Sequence, residues 1–367
     1  MIAISGARGV GKTTLMLQRQ KEIGGIGVTS LYVTMEHPYF YNHTLYEFMA
    51  ELYKMGFRFL FVDEVHKYAT WSKELKIIYD LFPDFKVVFS ASSALDIYRG
   101  EADLSRRVFT YKLPGLSFRE YLKMRGLADI LKISVDQLLK EHIPLSQDIV
   151  NLDGFHILPE FNRYLKNSYY PFMVHLEEKD YTIRLSQVIS TVMDTDMAYA
   201  EDYSPATAHK LKKLLAVLAM SIPFQPNIAE LARKLTISRD AIYQYLNHLE
   251  RASLILALRT EGKRVSLLQK PEKLFLENTN LAYGLSRHPD KGNLKETFMM
   301  NQLVHSGLKV TAPKQGDFYF DGITLEVGGR QKNNRQIAEI KNAFIAADDI
   351  LNGFGNKIPI WLFGMLY

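Results

Sequence analysis

Ile2-Ala3-Ile4-Ser5 runs without a break into Gly6-Ala7-Arg8-Gly9-Val10-Gly11-Lys12-Thr13, and the reading of this stretch decides the fold of the N-terminal part. The first four residues are small or β-branched, the composition of a short buried strand. The next eight fit G-x-x-x-x-G-K-[ST]. Glycines allow main-chain N–H groups to turn inward around phosphate oxygens, and a helix beginning at Lys12 aims its positive dipole end at the same anion. Lys12 then reaches the β and γ phosphates, and Thr13 ligates Mg²⁺. Thr14-Leu15-Met16-Leu17 is apolar enough to open a buried helix. The implied ligands are ATP and Mg²⁺, with Gly6, Ala7, Arg8, Gly9, Val10, Gly11, Lys12, Thr13 and Thr14 as the candidate nucleotide contacts.

Working outward, Phe59-Leu60-Phe61-Val62 has the length and uniform hydrophobicity of a strand buried on both faces of a parallel sheet, and it ends in Asp63-Glu64. Adjacent carboxylates at a strand end suit ATP hydrolysis: Asp63 as the metal-side acid, Glu64 as the general base. A third run, Val87-Val88-Phe89, ends in Ser90-Ala91-Ser92-Ser93. Ser90 and Ser92 are candidate γ-phosphate contacts, because ligands collect at the C-terminal ends of parallel strands. Capping of a following helix by Ser92 or Ser93 is an equal reading.

These three segments, with Leu104-Ser105-Arg106-Arg107-Val108, Leu116-Ser117-Phe118-Arg119-Glu120-Tyr121-Leu122, Tyr170-Pro171 and Phe354-Gly355-Asn356-Lys357-Ile358-Pro359, resemble the prokaryotic AAA-type P-loop ATPases. In that family the core is followed by a winged helix and a restriction-endonuclease-like domain, and the likeness extends over nearly the whole chain. It implies an additional-strand sheet in which the Ser90 strand separates the Asp63 strand from the phosphate-loop strand. It also implies that Arg107 is a candidate finger or sensor for the γ phosphate, acting in cis or in trans. Members of that family usually carry a segment before the first strand, from which upstream residues often help to build the adenine pocket, whereas here the strand begins at Met1.

The remainder reads as three further regions after a P-loop core over 1–126. Residues 127–204 are helical in pattern, a lid or connector in which no residue demands a catalytic role. Residues 205–270 carry helix-turn-helix grammar: Leu211, Leu214, Leu215 and Leu218, then Ile228, Leu231, Ala232 and Leu235, then Ile242, Tyr245, Leu246 and Leu249 recur at helical spacing. Asn227 with Glu230 forms an N-cap pattern, and Leu254 to Leu268 with a Gly262 turn reads as a β wing. Eleven Lys and Arg against four Asp and Glu give this region +7, more than the +5 of the whole chain. Arg239, Tyr243, Gln244 and Asn247 are the candidate DNA contacts. Residues 271–367 carry Glu296, Asp317 and Glu326 in an order resembling the metal-binding acids of an endonuclease-like fold. Gly328 stands where that chemistry needs a lysine, so nuclease activity is not expected. Arg330 and Lys332 could substitute only by rearranging the strand end.

Bulk properties bound the function. A chain of 367 residues with 47% hydrophobic and 23% charged residues is a multidomain globular protein. No cysteine is present, which excludes disulfides, thiolate metal sites and thiol catalysis. No leader or membrane span is legible, so a cytoplasmic setting without membrane contact is expected. The expected fold is α/β: a P-loop parallel-sheet core, a helical lid, a winged helix and a degenerate endonuclease-like domain. The expected activity is Mg-dependent ATP hydrolysis by a switch or motor, linked to DNA, with a nucleotide-dependent homo-oligomer allowed. The competing class is a DNA-binding regulator that binds ATP as a structural or signalling ligand.

Overall fold

Short apolar runs that turn polar at their C-terminal ends build one five-stranded parallel sheet in a computed structural model of the chain. The structure describes residues 1–24, 29–91, 104, 106–197, 204–221, 225–262, 270–286, 289–332, 337 and 339–367. The strands are β1 (Ile2–Ser5), β2 (Ser30–Thr34), β3 (Phe59–Asp63), β4 (Lys86–Ser90) and β5 (Phe109–Lys112), in the order β2-β3-β4-β1-β5. The β4 strand therefore separates β3 from β1, as the resemblance implies. Ile4 pairs with Ser90 and Val62 with Phe89, so Ser5, Asp63 and Ser90 finish along one edge. That shared edge is where a parallel sheet collects its ligand.

Helices α1 (Lys12–Ile23), α2 (Leu45–Lys54) and α3 (Trp71–Leu81) accompany the sheet. A Thr44–Glu47 capping box starts α2, which buries Leu45, Met49 and Leu52, while α3 buries Trp71, Leu75 and Ile78. Both faces follow the 3.6-residue period. The α1 helix departs from its expected burial: Met16 is buried, but Leu15 and Leu17 are 43% and 42% exposed. With Lys12 and Met16 as its only buried residues, α1 is held chiefly through its first turn.

Two units emerge: Met1–Gly115 with Thr191–Tyr203, and Leu116–Ser190 with Ser204–Tyr367. The second opens with α4 (Phe118–Met124), α5 (Val135–Val150), α6 (Ile157–Asn167) and most of α7 (Glu178–Thr191). It continues with α8 (Pro205–Ser221), α9 (Ile228–Leu235), α10 (Arg239–Arg251) and an antiparallel pair, β6 (Ile255–Leu258) and β7 (Lys273–Leu276). Asn227 accepts from the Glu230 N–H, Thr236 turns left-handed at φ 54°, and Ser238 accepts from the Ala241 N–H. These caps satisfy orphan amides on either side of the turn. The hairpin differs from expectation. Its return strand is β7, beyond the Leu268 limit, so a boundary at 270 cuts through the hairpin. The run Val265 to Leu268 that suggested the wing lies outside the described residues.

The chain ends with α11 (Thr279–Leu285), α12 (Lys291–His305) and strands β8 (Phe318–Phe320), β9 (Ile323–Gly328), β10 (Ala343–Ala347) and β11 (Lys357–Pro359), ordered β11-β10-β9-β8. The β8 and β9 strands are antiparallel, whereas β9, β10 and β11 are parallel. Phe318 and Phe320 are buried in the core.

Asn280 ties this unit together. Its side chain is fully buried, accepts from the Tyr169 N–H at 2.8 Å and from the Tyr181 hydroxyl, and donates to the Tyr164 and Leu165 carbonyls at 3.0 and 2.9 Å. All four valences of one amide are used, which neither a carboxylate nor a methyl group can reproduce. Asn280→Ala orphans several buried groups and is expected to cost about 2–4 kcal/mol; Asn280→Asp, lacking the two donors, is expected to cost at least as much. Equilibrium urea unfolding measures both, and a shift below about 1 kcal/mol contradicts the assignment.

Candidate nucleotide site

The turn after β1 is possible only because of its glycines. Gly6 has φ 154°, and a Cβ there would lie 2.4 Å from the Leu113 carbonyl oxygen. Gly9 and Gly11 have φ of 90° and 99°, left-handed values that strain other residues. Gly11 is also the N-cap of α1 and has no side chain to occupy the helix end. Lys12 folds back from the first helical turn. Its side chain is buried, and Nζ donates to the Gly6 carbonyl at 2.8 Å and the Ala7 carbonyl at 3.2 Å. Burial pulls its pKa down, while Glu64 and Asp63 pull it up.

Asp63 ends β3 facing the loop. Its Oδ2 accepts from the Thr13 hydroxyl at 2.6 Å and the Tyr32 hydroxyl at 2.7 Å; its Oδ1 accepts from the Ser90 hydroxyl and from the Glu64 N–H at 3.1 Å. Thr13 and Asp63 are therefore brought together, a hydroxyl and a carboxylate of the kinds that could hold Mg²⁺ beside phosphate. Ser90 has a different task from the expected one. It is fully buried, bonded to Asp63, and accepts from the Glu64 N–H at 3.2 Å, so it orients the carboxylates and does not face the loop as a phosphate contact. Ser92 and Ser93 lie outside the described residues.

Glu64 takes a left-handed backbone, φ 54° and ψ 42°, an unfavourable conformation for a non-glycine residue and one common at functional positions. Burial raises its pKa, opposed by the charges of Lys12 and Arg8. The direction suits a general base working near neutrality. His66 Nε2 lies 3.3 Å from Glu64 Oε2, and burial, reinforced by the charge of Lys67, depresses the imidazole pKa to about 4. The neighbour of the base is therefore a neutral ring at pH 7.

Arg107 is placed elsewhere. Its carbonyl accepts from the Met1 ammonium at 3.3 Å, at the start of β1, and its guanidinium holds Asp80 at 2.9 and 3.1 Å beside the Tyr79 ring. A strand of four residues separates that edge from Gly6, about 13 Å at 3.3 Å per residue. A cis role for Arg107 on the γ phosphate is thereby corrected. The charge near the phosphate loop comes from Arg8, which makes a bidentate pair with Asp196, both bonds 2.9 Å. Asp196 and Tyr32 are site residues that the sequence did not reveal. Tyr32 sits inside an unremarkable apolar strand run, and Asp196 lies in the segment read as connector, without a motif around it.

The second unit gathers the other candidate residues. Lys273 Nζ holds both Glu296, at 3.0 Å, and Asp317, at 2.9 Å. Lys332 Nζ holds Glu326 at 2.6 Å, and its aliphatic stem crosses Gly328 so closely that a Cβ there would lie 2.6 Å from Cγ. Lys332 thus fills the space of the missing side chain at 328, the rearrangement that the sequence left open. Among the described residues no group of three or more His, Asp or Glu side chains is arranged to hold a metal. No described helix is long and apolar enough to cross a membrane.

The His66 shift carries a sign. The unfolded chain accepts a proton near 6.5 while the folded site refuses it until about 4, so this contribution is intact above pH 6.5 and lost as pH falls toward 4. Stability is expected to fall by up to about 1.4 kcal/mol per pH unit across that window, and His66→Gln is expected to flatten the slope. Chemical denaturation of both proteins from pH 7 to 4.5 tests this; parallel curves would refute it.

Comparisons with known proteins agree with this geometry at the N-terminal end. Residues 158–291 match a domain of unknown function, DUF8612, which spans α6 through α11. Uncharacterized protein MJ1637 of Methanocaldococcus jannaschii is 25% identical over 390 residues, covering 98% of this chain and 81% of that one. AMPPCP-bound DnaA from Aquifex aeolicus overlaps with a TM-score of 0.26 at 15% identity, and replication initiator DnaA bound to AMPPCP and single-stranded DNA with 0.28 at 13%; each covers 68% of this chain and 81% of the other. Overlaps this low carry no argument. Residues 1–122 match the AAA domain model, and together with the loop, the parallel sheet and the Asp63–Thr13 pair this makes the N-terminal third an AAA-type P-loop domain of a nucleotide-binding ATPase.

Proposed function

We propose that the chain is a Mg-dependent ATPase acting as a nucleotide-driven switch or motor in a cytoplasmic setting. One observation carries the reading: Glu64, held in a strained backbone and half desolvated, stands next to the Asp63–Thr13 pair and in the electrostatic field of Lys12 and Arg8. A structural nucleotide needs the loop and the metal pair but not a second carboxylate held at this cost. In the proposed reaction Lys12 leaves the Gly6 and Ala7 carbonyls for the β and γ phosphates, and the loop amides take the remaining charge. Mg²⁺ held beside Thr13 and Asp63 would neutralise phosphate charge. Glu64 accepts a proton from water as its oxygen bonds to the γ phosphorus; the bond from that phosphorus to the bridging oxygen breaks, giving ADP and phosphate. Neutral His66 beside Glu64 adds no cation to quench the base.

The helix pair α9–α10 and its hairpin support a winged-helix reading, with DNA as the partner. Arg239, Tyr243 and Asn227 line an open groove with Lys270, basic and aromatic types able to meet phosphate and base. Arg239 and Gln244 are exposed, whereas Tyr243 and Asn247 are half-buried, so the two exposed residues are better placed for contact. The acids of the last sheet are read as structural, because Lys273 and Lys332 supply the countercharge that a catalytic metal would.

Glu64→Gln keeps the shape of the side chain and removes the base, so it is expected to retain ATP binding while turnover drops about 100- to 10,000-fold. Lys12→Ala is expected to lose binding itself. Steady-state phosphate release with parallel nucleotide titration separates the cases, and unchanged turnover in Glu64→Gln would favour the regulator that uses ATP as a structural ligand. For DNA, affinity is expected to weaken steeply with salt and to fall several-fold in Arg239→Ala with Lys270→Ala. Plasmid in the same Mg²⁺ incubation should stay intact. Salt-independent or unaltered binding refutes the groove, and cleavage refutes the structural reading of the acids.

A further inference from the structure

The segment from Thr191 to Tyr203 belongs with the nucleotide unit although α7 and α8, which flank it in sequence, belong mainly to the other unit. Its described part is unusual. Val192–Asp196 winds as a π-helix, a rare form that recurs at functional sites because it re-aims one side chain out of the helical register. Val192, Met193 and Met197 are buried and anchor the turn, and Asp196 is only 5% exposed. Both carboxylate oxygens of Asp196 are taken by Arg8, through Nε and Nη2 at 2.9 Å each. Arg8 is a phosphate-loop residue between Ala7, whose carbonyl receives Lys12, and Gly9. The charge of Asp196 also acts on Lys12, Glu64 and His66.

The geometry points to Asp196 as a stand-in anion that holds the Arg8 guanidinium when the γ phosphate is absent, so that γ phosphate and Asp196 compete for one planar fork. This rests on the ATPase reading and deepens it by assigning Arg8 as the cis arginine of the site and residues 191–197 as the element that senses nucleotide. A guanidinium binds one bidentate partner at a time through a given edge, and a phosphoryl group matches the geometry of the carboxylate it displaces. A buried carboxylate that loses its only arginine is costly to keep in place. The π-turn is therefore expected to loosen when a triphosphate, but not a diphosphate, is bound.

Hydrogen exchange of full-length protein, read on peptides covering residues 191–197 with no nucleotide, ADP or a non-hydrolysable ATP analogue, tests the mechanism. Nucleotide affinity is measured on the same samples. Expected are faster exchange with the analogue alone in the parent protein and no nucleotide dependence in Arg8→Gln. Asp196→Asn, which is isosteric and keeps the turn packed, is expected to bind the analogue about five- to thirtyfold more tightly with little change for ADP. Equal exchange in all three states with the analogue demonstrably bound overturns the competition while leaving the ATPase reading intact. Weaker analogue binding in Asp196→Asn overturns it as well. Failure of the parent protein to bind either nucleotide overturns both.

Discussion

A buried ammonium beside a glycine turn is the constraint on which the N-terminal unit depends. Lys12 has little access to water, and in the structure its charge is held by the Gly6 and Ala7 carbonyls and the nearby carboxylates. Burying a cation at that depth costs stability unless oppositely charged groups surround it. A triphosphate is the natural completion of that arrangement, because its oxygens can replace the carbonyls and engage the loop amides together. The left-handed glycines, the clash that any Cβ at residue 6 would make with Leu113, and the helix that starts at Lys12 all serve this one cavity.

Two neighbouring carboxylates stand in different surroundings. Asp63 receives Thr13, Tyr32, Ser90 and the Glu64 amide, four donors that fix its orientation. Glu64, one residue later, is turned away from those donors by its left-handed backbone, and burial raises its proton affinity. Division of labour between paired acids by environment alone is a recurring solution for proton chemistry at neutral pH. Here the strand end supplies the environment: β3 delivers the first residue into the sheet's hydrogen-bonding row, and the change of backbone sign sends the second out of it.

The second unit is organised by neutral polar contacts and not by charge. Asn280 spends every donor and acceptor on Tyr169, Tyr181, Tyr164 and Leu165, and Asn301 and Gln302 extend the same buried network toward Tyr367. Such networks favour one packing because their hydrogen bonds form only in that arrangement. The acidic residues of its final sheet are paired with Lys273 and Lys332, partners that the spacing of the acids does not announce.

The strand order is what the family resemblance implies, while the phosphate loop, the strand that ends in Asp63 and the cap at Asn227 follow from local pattern, because each depends on residues close in sequence. Tyr32, Asp196 and the displaced Lys332 do not. Each acts across a long separation, and nothing in a tyrosine on a strand, an aspartate in a helix or a lysine after a glycine pair announces its partner. Arg107 marks the same boundary from the other side: its residue type suited the γ phosphate, but Asp80 holds it at the wrong end of β1. Sequence by itself determined which chemistry the N-terminus can perform, since backbone sterics and periodicity act within a few residues. Which charged side chains stand beside the phosphate loop, only the tertiary structure decided, because long-range electrostatics depends on distances that chain order does not encode.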